Sequence, residues 1–416
     1  VITALRLRQF KSFEDAELKI GALTVLMGTN AAGKSNIRDA IRFFHGVSRG
    51  YTLAEILGEK WIEGGILQWR GIRGGTREAA YRHKKTFKLG LDFSVNGGTF
   101  ISYDIEVEPR FKGNVPRIVR EKLIRESDTI YQAESDNDPK QIHVRILRGG
   151  DLRKAHVERV LSNQPVLTQL LEKMTVRNDY NGQQVVKTIE ETLNNLKQMK
   201  FLDLSPEAMR QPSTPGQTVL SDRGENLSSV LQVMCQDPAQ KQGLLEWLKE
   251  LTPLDAVDFE FPLDQTGRTL VTLIEKGGQK VSAYSASDGT LRFLSIIVAL
   301  LGSQGTRLYV LEELENGIHP TRLQLLLQLM QGKVAEGKVQ VIATTHSPQL
   351  VRLLNPENRS FAALVYRLPE QTNSKIVRLG DIPHADEVLS AHDLGHLMES
   401  GWMEDAVFFG GAGDER

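Results

Sequence analysis

The stretch Gly28-Thr29-Asn30-Ala31-Ala32-Gly33-Lys34-Ser35 matches the pattern G-x-x-x-x-G-K-[ST] at every fixed position. Its flanks fit as well. Leu23–Met27 is an apolar run of strand length, and Asn36–Phe44 places Ile37, Ala40, Ile41 and Phe44 on one helical face. A strand, a glycine turn and a helix N-terminus in that order form an anion cradle. Successive backbone N–H groups point inward, and the open N–H groups of the first helical turn add positive potential. The pattern implies a bound nucleoside triphosphate on Gly28, Asn30, Gly33, Lys34, Ser35 and Asn36. Lys34 is expected at the β- and γ-phosphates and Ser35 on Mg²⁺.

Composition bounds the class. Lys and Arg number 51 against 52 Asp and Glu, so a polyanion partner must be met by a local patch and not by net charge. One cysteine, Cys235, excludes an intrachain disulfide framework and suits a reducing compartment. The longest apolar stretch, Phe293–Leu301, falls far short of the ~18 residues of a membrane span. Nothing at the N-terminus resembles a cleaved leader. A soluble cytoplasmic protein without membrane contact is expected.

Along the chain, residues 1–27 alternate as strands, with Ile2, Leu5, Leu7, Phe10 and Phe13 apolar. Lys88–Asp92 and Thr99–Glu108 also alternate, and Val95-Asn96-Gly97-Gly98 supplies a hairpin turn between them. Two basic clusters follow the loop helix. Arg70, Arg73, Arg77, Arg82, Lys84, Lys85 and Lys88 are opposed only by Glu78. Arg110, Lys112, Arg117, Arg120, Lys122 and Arg125 are opposed by Glu108 and Glu121. Such clusters can neutralise phosphates of DNA or RNA, or form a solvated rim balanced elsewhere. From Asp151 to Lys200 helical spacing dominates. The expected organisation is a first lobe at 1–125, a mainly helical insert or arm at 126–215, and a second lobe with a C-terminal tail at 216–416.

The second half carries three further motifs. Ala286-Ser287-Asp288-Gly289-Thr290 precedes an apolar helix, so Ser287 and Gly289 form a second phosphate site at a helix N-terminus. Leu308–Leu311 is an apolar strand ending in Glu312 and Glu313. The first carboxylate is expected to hold Mg²⁺ and the second to polarise the attacking water. Val339–Thr345 is a buried-type strand ending at His346-Ser347-Pro348.

Together with Leu7–Phe13, these motifs in this order resemble the SMC/RecF-like ABC ATPases. The likeness is to short-armed bacterial ATPases related to the ATPase half of OLD-family nucleases. It covers residues 1–110 and 216–350. It implies an α/β fold: an ABC-type P-loop head with a mixed sheet, split by the insert. It also implies that 286–290 is the signature motif, acting in trans in a head-to-head dimer or higher oligomer. His346 would be the switch histidine at the γ-phosphate, and Leu314–Pro320 the loop that communicates across the dimer. Gln68 is the candidate for the metal-contacting glutamine. This sequence departs from the usual pattern at Asp288 and Thr290 in the signature and at Glu312, where the family carries Asp.

Family analogy extends to DNA sensing and to control of a separately encoded nuclease or toxin-like effector in anti-phage defence. The alternatives are a DNA repair or maintenance clamp, or a slow ATP-gated switch holding such an effector in check. A GTPase reading lacks N-K-x-D, and the wide separation of Lys34 from Glu312 argues against an AAA-plus ring ATPase or a transporter subunit. After His346 there is no acidic set for nuclease chemistry. The tail sequence His392-Asp393-Leu394-Gly395-His396 lacks the glutamate of H-E-x-x-H. Leu397, Trp402 and Met403 are expected to pack, and Asp386 and Glu387 to lie in loops.

Overall fold

The computed structural model describes residues 1–381 apart from 96, 112–114, 137, 149–150, 175–179, 252–255, 303–304, 348–349, 351 and 369–370. The expectations for Pro348 and for Asp386 through Met403 therefore lie outside the described residues, as does that for Lys112.

The chain opens with β1 (Ile2–Phe10), β2 (Phe13–Lys19) and β3 (Leu23–Met27), then α1 (Lys34–Ser48) and α2 (Leu53–Leu57). A small hairpin of β4 (Glu59–Ile62) and β5 (Ile66–Arg70) and the turn α3 (Gly75–Glu78) follow. Six strands come next: β6 (Phe87–Val95), β7 (Thr99–Phe111), β8 (Val115–Arg125), β9 (Asp128–Ser135), β10 (Gln141–Arg148) and β11 (Asp151–Leu161). Helices α4 (Val166–Met174) and α5 (Tyr180–Lys197) lead to β12 (Met199–Leu202), α6 (Pro206–Met209), α7 (Leu227–Met234) and α8 (Pro238–Leu251). The remainder is β13 (Ala256–Glu260), β14 (Thr272–Glu275), β15 (Lys280–Ser282) and α9 (Asp288–Leu301). After these come β16 (Leu308–Leu311), α10 (Pro320–Ala335), β17 (Gln340–Thr344), β18 (Ala363–Tyr366) and β19 (Lys375–Arg378).

Two sheets organise these elements. One is antiparallel and eight-stranded, in the order β11-β10-β9-β8-β7-β6-β1-β2. The other, β12-β16-β17-β3-β18-β19, is parallel except where β19 returns antiparallel to β18. Between them runs α1, buried nearly all round. Phe43 meets Phe87 of the first sheet edge-on at 5.8 Å, and Phe44 meets Tyr103 at 5.9 Å. On its other side Arg42 lies over the Phe201 ring of β12 at 4.6 Å. Aromatic side chains that bury large areas thus fix the phosphate-loop helix against both layers. His45 of α1 donates Nδ1–H to the Leu196 carbonyl at 3.0 Å. Burial pushes its pKa down to about 4, so the ring is neutral near pH 7.

The mainly helical insert expected at 126–215 is corrected. Residues 128–161 are three strands that extend the antiparallel sheet, and Ile130, Tyr131, Ala133, Ile142 and Val144 face its core. At the sheet edge, β11 pairs with β10, from Gln141↔Leu161 to Arg148↔Asp151. An edge strand solvated on much of its surface carries charges on both faces, which blurs the period-two signal. The helices that follow pack into the head. Leu170, Ile189, Leu193 and Leu196 share one core with Ile37, Ile41 and Phe44 of α1.

Two residues of the second basic cluster are held by partners. Arg117 pairs with Glu108 at 2.9 Å and lies 3.5 Å over the Phe111 ring, and Arg125 pairs with Glu191. Glu121 is no counter-charge at the surface. Its carboxylate, 1% exposed, accepts from the hydroxyls of Tyr103 at 3.0 Å and Tyr131 at 2.7 Å, and from the N–H groups of Val166 and Leu167 at 2.8 Å. A β8 side chain thereby caps the N-terminus of α4.

Candidate functional site

All five residues of β3 are buried, and the loop leaving it demands its glycines. Gly28 (φ +143°) presses on the Val365 carbonyl of β18, and any Cβ would overlap that oxygen. At Gly33 (φ +120°) a Cβ would stand 2.9 Å from Ser374 Oγ and 3.0 Å from Ser12 Oγ. Both positions also lie in a backbone region that disfavours side chains. Ser12 Oγ accepts from Asn36 Nδ2 at 2.8 Å and meets Ser374 Oγ at 2.8 Å, tying the β1–β2 turn, the loop helix and the β19 approach together. No side chain caps α1 at Gly33, which leaves its first turn available to an anion.

Lys34, 6% exposed, donates to the carbonyls of Gly28 and, at 3.0 Å, Thr29. Its Nζ lies 3.3 Å from His346 Nδ1, and His346 Nε2 lies 4.0 Å from Glu313 Oε1. Burial lowers the Lys34 pKa, while Glu315, Glu313 and Glu312 pull it back up. Residues from three distant stretches of sequence therefore converge on one charged cluster. The cause is the sheet order, which sets β17 between β16 and β3.

The two carboxylates after β16 differ. Glu312 has Oε2 3.5 Å from an Arg38 nitrogen, while its Oε1 is buried with no hydrogen-bond partner. An orphaned, buried carboxylate oxygen beside the phosphate loop suits a divalent cation or its water. Glu313 occupies the left-handed region at φ +51°. Its N–H donates to Thr344 Oγ1 at 3.0 Å, and Asn316 Nδ2 donates to its Oε2 at 3.1 Å. A non-glycine residue held there costs on the order of 1–3 kcal/mol, a strain found mostly where function fixes a side chain. Glu315 accepts the His346 N–H at 2.6 Å, so the loop after the carboxylates also sets the histidine.

Comparison with known proteins places this chain in a family. Residues 23–352 match the family described as "AAA domain, putative AbiEii toxin, Type IV TA system". The chain belongs to that family. It is an ABC-type ATPase of the SMC/RecF-like branch. The "ATP/GTP phosphatase" of Helicobacter pylori is 21% identical over 371 residues, spanning 85% of this chain and 88% of that one. The "DNA double-strand break repair Rad50 ATPase" of Sulfolobus acidocaldarius is 26% identical over 223 residues. That match spans 50% of this chain and 22% of the Rad50 protein. Among solved structures, an SMC head bound to the C-terminal winged-helix domain of ScpA superposes with a TM-score of 0.50. It is 10% identical, and the superposition covers 90% of this chain and 97% of that one. The fold expected from the motifs is thus the one found.

In this ATPase Ser287 is the N-cap of α9, its Oγ accepting from the Thr290 N–H at 3.2 Å. Gly289 packs so closely on the Gly317 carbonyl that a Cβ would overlap it, which joins this turn to the loop after the carboxylates. Among the described residues no hydrogen bond or ion pair links Ser287 or Gly289 to the phosphate loop. Gln68 does not join the cluster. It is exposed on β5, lining a hollow with Arg42 and His45 of α1 and with Arg49 just beyond its end. The candidates that sequence reasoning missed are Arg38, Asp203, Ser12, Ser374 and Glu315. Ser12 and Glu315 fall inside Leu7–Phe13 and Leu314–Pro320, segments that carry the resemblance, without a role assigned to either, and Arg38 is a cation one turn after Lys34 on a helix whose other face is apolar.

Proposed function

We propose that the chain binds ATP with Mg²⁺ and hydrolyses it at a composite site formed between two heads. The observation that carries this reading is the convergence of Lys34, Glu312, Glu313 and His346 beside the phosphate loop. Ser35 and Glu312 would hold the metal, which when bound supplies charge neutralisation at the phosphates. Gly28, Asn30, Gly33, Lys34 and Asn36 would hold the nucleotide. Glu313, fixed by Thr344 and Asn316, would orient the attacking water, and His346 would stabilise the γ-phosphate.

Ser287 and Gly289, without a link to their own loop, would complete the partner's site. Mixing Ser287→Arg with Glu313→Gln tests this. Each variant alone is expected to be inactive, since every site in its homodimer carries a defect. In the mixed dimer one site collects both defects and the other is intact, so partial activity should return. Demonstrated mixed dimers with no recovered hydrolysis would refute independent composite sites.

The reading extends to DNA-coupled control of a separately encoded nuclease or toxin-like effector. Support comes from the Rad50 relative and from the exposed Arg70, Lys84 and Lys85 of the first basic cluster. Arg73 is held by Asp39 at 3.1 Å, and Arg77 and Arg82 line a hollow with Lys11, Asn36 and Arg367 beside the loop helix. Those three are expected to serve the ATP site more than nucleic acid. Neutralising Arg70, Lys84 and Lys85 together should weaken duplex binding equally across sequences. It should also flatten the salt dependence by about 0.9 for each phosphate that is no longer neutralised. An unchanged slope would return them to a solvated rim.

A further inference from the structure

Lys34, Arg38 and Arg42 recur every fourth residue of α1 and so lie above one another on one helix face. Lys34 serves the phosphate loop. Arg42 is 3.3 Å from Asp203 Oδ2 and 3.7 Å from Asp222 Oδ2. Arg38 sits between them, 8% exposed, with one guanidinium nitrogen paired to Asp203 and another 3.5 Å from Glu312 Oε2. The two carboxylates it bridges are neighbours by topology. In the parallel pair β12–β16, Leu202 is in register with Leu311, so Asp203 and Glu312 leave adjoining strand ends side by side. Left alone, two like charges so placed would repel and turn apart.

We propose that Arg38 is the positioning residue for Glu312. Anchored on Asp203, it fixes one carboxylate oxygen and leaves the other, Oε1, free to serve the Mg²⁺ site. A planar guanidinium suits this task because its donors diverge in a fixed fork and can hold two carboxylates at once. The arrangement also accounts for glutamate where related ATPases carry aspartate. The longer side chain spans to Arg38 and still presents its second oxygen. The Asp203 anchor lies just before α6, whose C-terminal neighbour Arg210 donates to the Ala286 carbonyl at 2.9 Å and pairs with Asp288 at 2.7 Å. The metal carboxylate is thereby connected through one short segment to the turn that carries Ser287.

The inference rests on Glu312 being the metal-holding carboxylate, and the experiment separates the two claims. The full chain would be titrated with a fluorescent ATP analogue over a range of free Mg²⁺ and in EDTA. Wild type, Glu312→Gln, Arg38→Met, Arg38→Lys and Asp203→Asn would be compared. Arg38→Met is expected to raise the Mg²⁺ needed for half-maximal binding by about 10–100-fold, the usual effect of losing a group that orients a metal ligand. Metal-free binding in EDTA should stay unchanged, which a general loss of structure would not allow. Arg38→Lys should recover part of the shift as a single point charge, and Asp203→Asn should shift in the same direction as Arg38→Met by less. A wild-type Mg²⁺ curve in Arg38→Met or Asp203→Asn, with Glu312→Gln shifted, would overturn the role of Arg38 alone. If Arg38→Met fails to fold, Arg38→Lys and Asp203→Asn decide the question in the same way. An unshifted Glu312→Gln would instead remove the assignment on which the inference stands.

Discussion

Glu313→Gln will bind ATP with near wild-type affinity and hydrolyse it about 10²–10⁴-fold more slowly, the usual loss on removing a general base. In barrier terms that is roughly 3–5 kcal/mol, each ~1.4 kcal/mol being tenfold. The amide is isosteric and retains an oxygen for the Asn316 contact, so the left-handed turn at this position should survive the exchange. What disappears is an acceptor basic enough to orient and deprotonate water. Steady-state phosphate release, measured beside analogue binding on the same preparation, decides the matter. Turnover within a few-fold of wild type would assign the base elsewhere, with Glu312 or Glu315 next in line.

Glu121→Ala is expected to be strongly destabilising. The carboxylate receives four donors inside the protein, and removing it strands two tyrosine hydroxyls and the first two N–H groups of α4. A buried donor left unsatisfied costs about 1–3 kcal/mol, and even with partial rehydration the sum should reach roughly 4 kcal/mol or more. Burial raises the Glu121 pKa, while the same four donors oppose that rise. Glu121→Gln keeps the volume but turns an NH₂ group toward a ring of donors, so it should recover only part of the loss. Urea unfolding of the three proteins measures this. A loss within ~1 kcal/mol for Glu121→Ala would mean that water reaches the site and the cap is dispensable.

The phosphate loop, the carboxylate strand and the histidine strand were legible because each compresses its chemistry into a short run with a buried strand beside it. The cluster they form is the part of the site that sequence could specify. Its supporting residues were not legible. Ser12 and Ser374 meet only because β19 closes the sheet beside β18, and no local pattern predicts that meeting. Arg38 and Asp203 meet through the parallel pairing of β12 with β16. Glu121 was misread for a related reason. Among lysines and arginines it resembles a surface counter-ion, and only the packing of α4 over β8 reveals a buried cap. Of the three strands between 128 and 161, only β11 lies at the sheet margin, where charges on both faces blur the pattern; β10 alternates Ile142, Val144 and Ile146 toward the core, a period-two signal passed over among polar neighbours.

The position of β3 in its sheet also sets an order of events during synthesis. Its hydrogen-bonding neighbours are β17 and β18, whose first residues are Gln340 and Ala363, so the strand that launches the phosphate loop has no partner until most of the chain exists. The antiparallel strands β6 to β11 pair largely through successive hairpins and can form as they emerge. At about 5–20 residues per second, tens of seconds separate the appearance of Leu23 from that of Gln340. A nascent chain on the ribosome is therefore unable to close its nucleotide pocket early. Truncated products lacking β17 and β18 are expected to leave β3 unpaired and exposed to proteolysis.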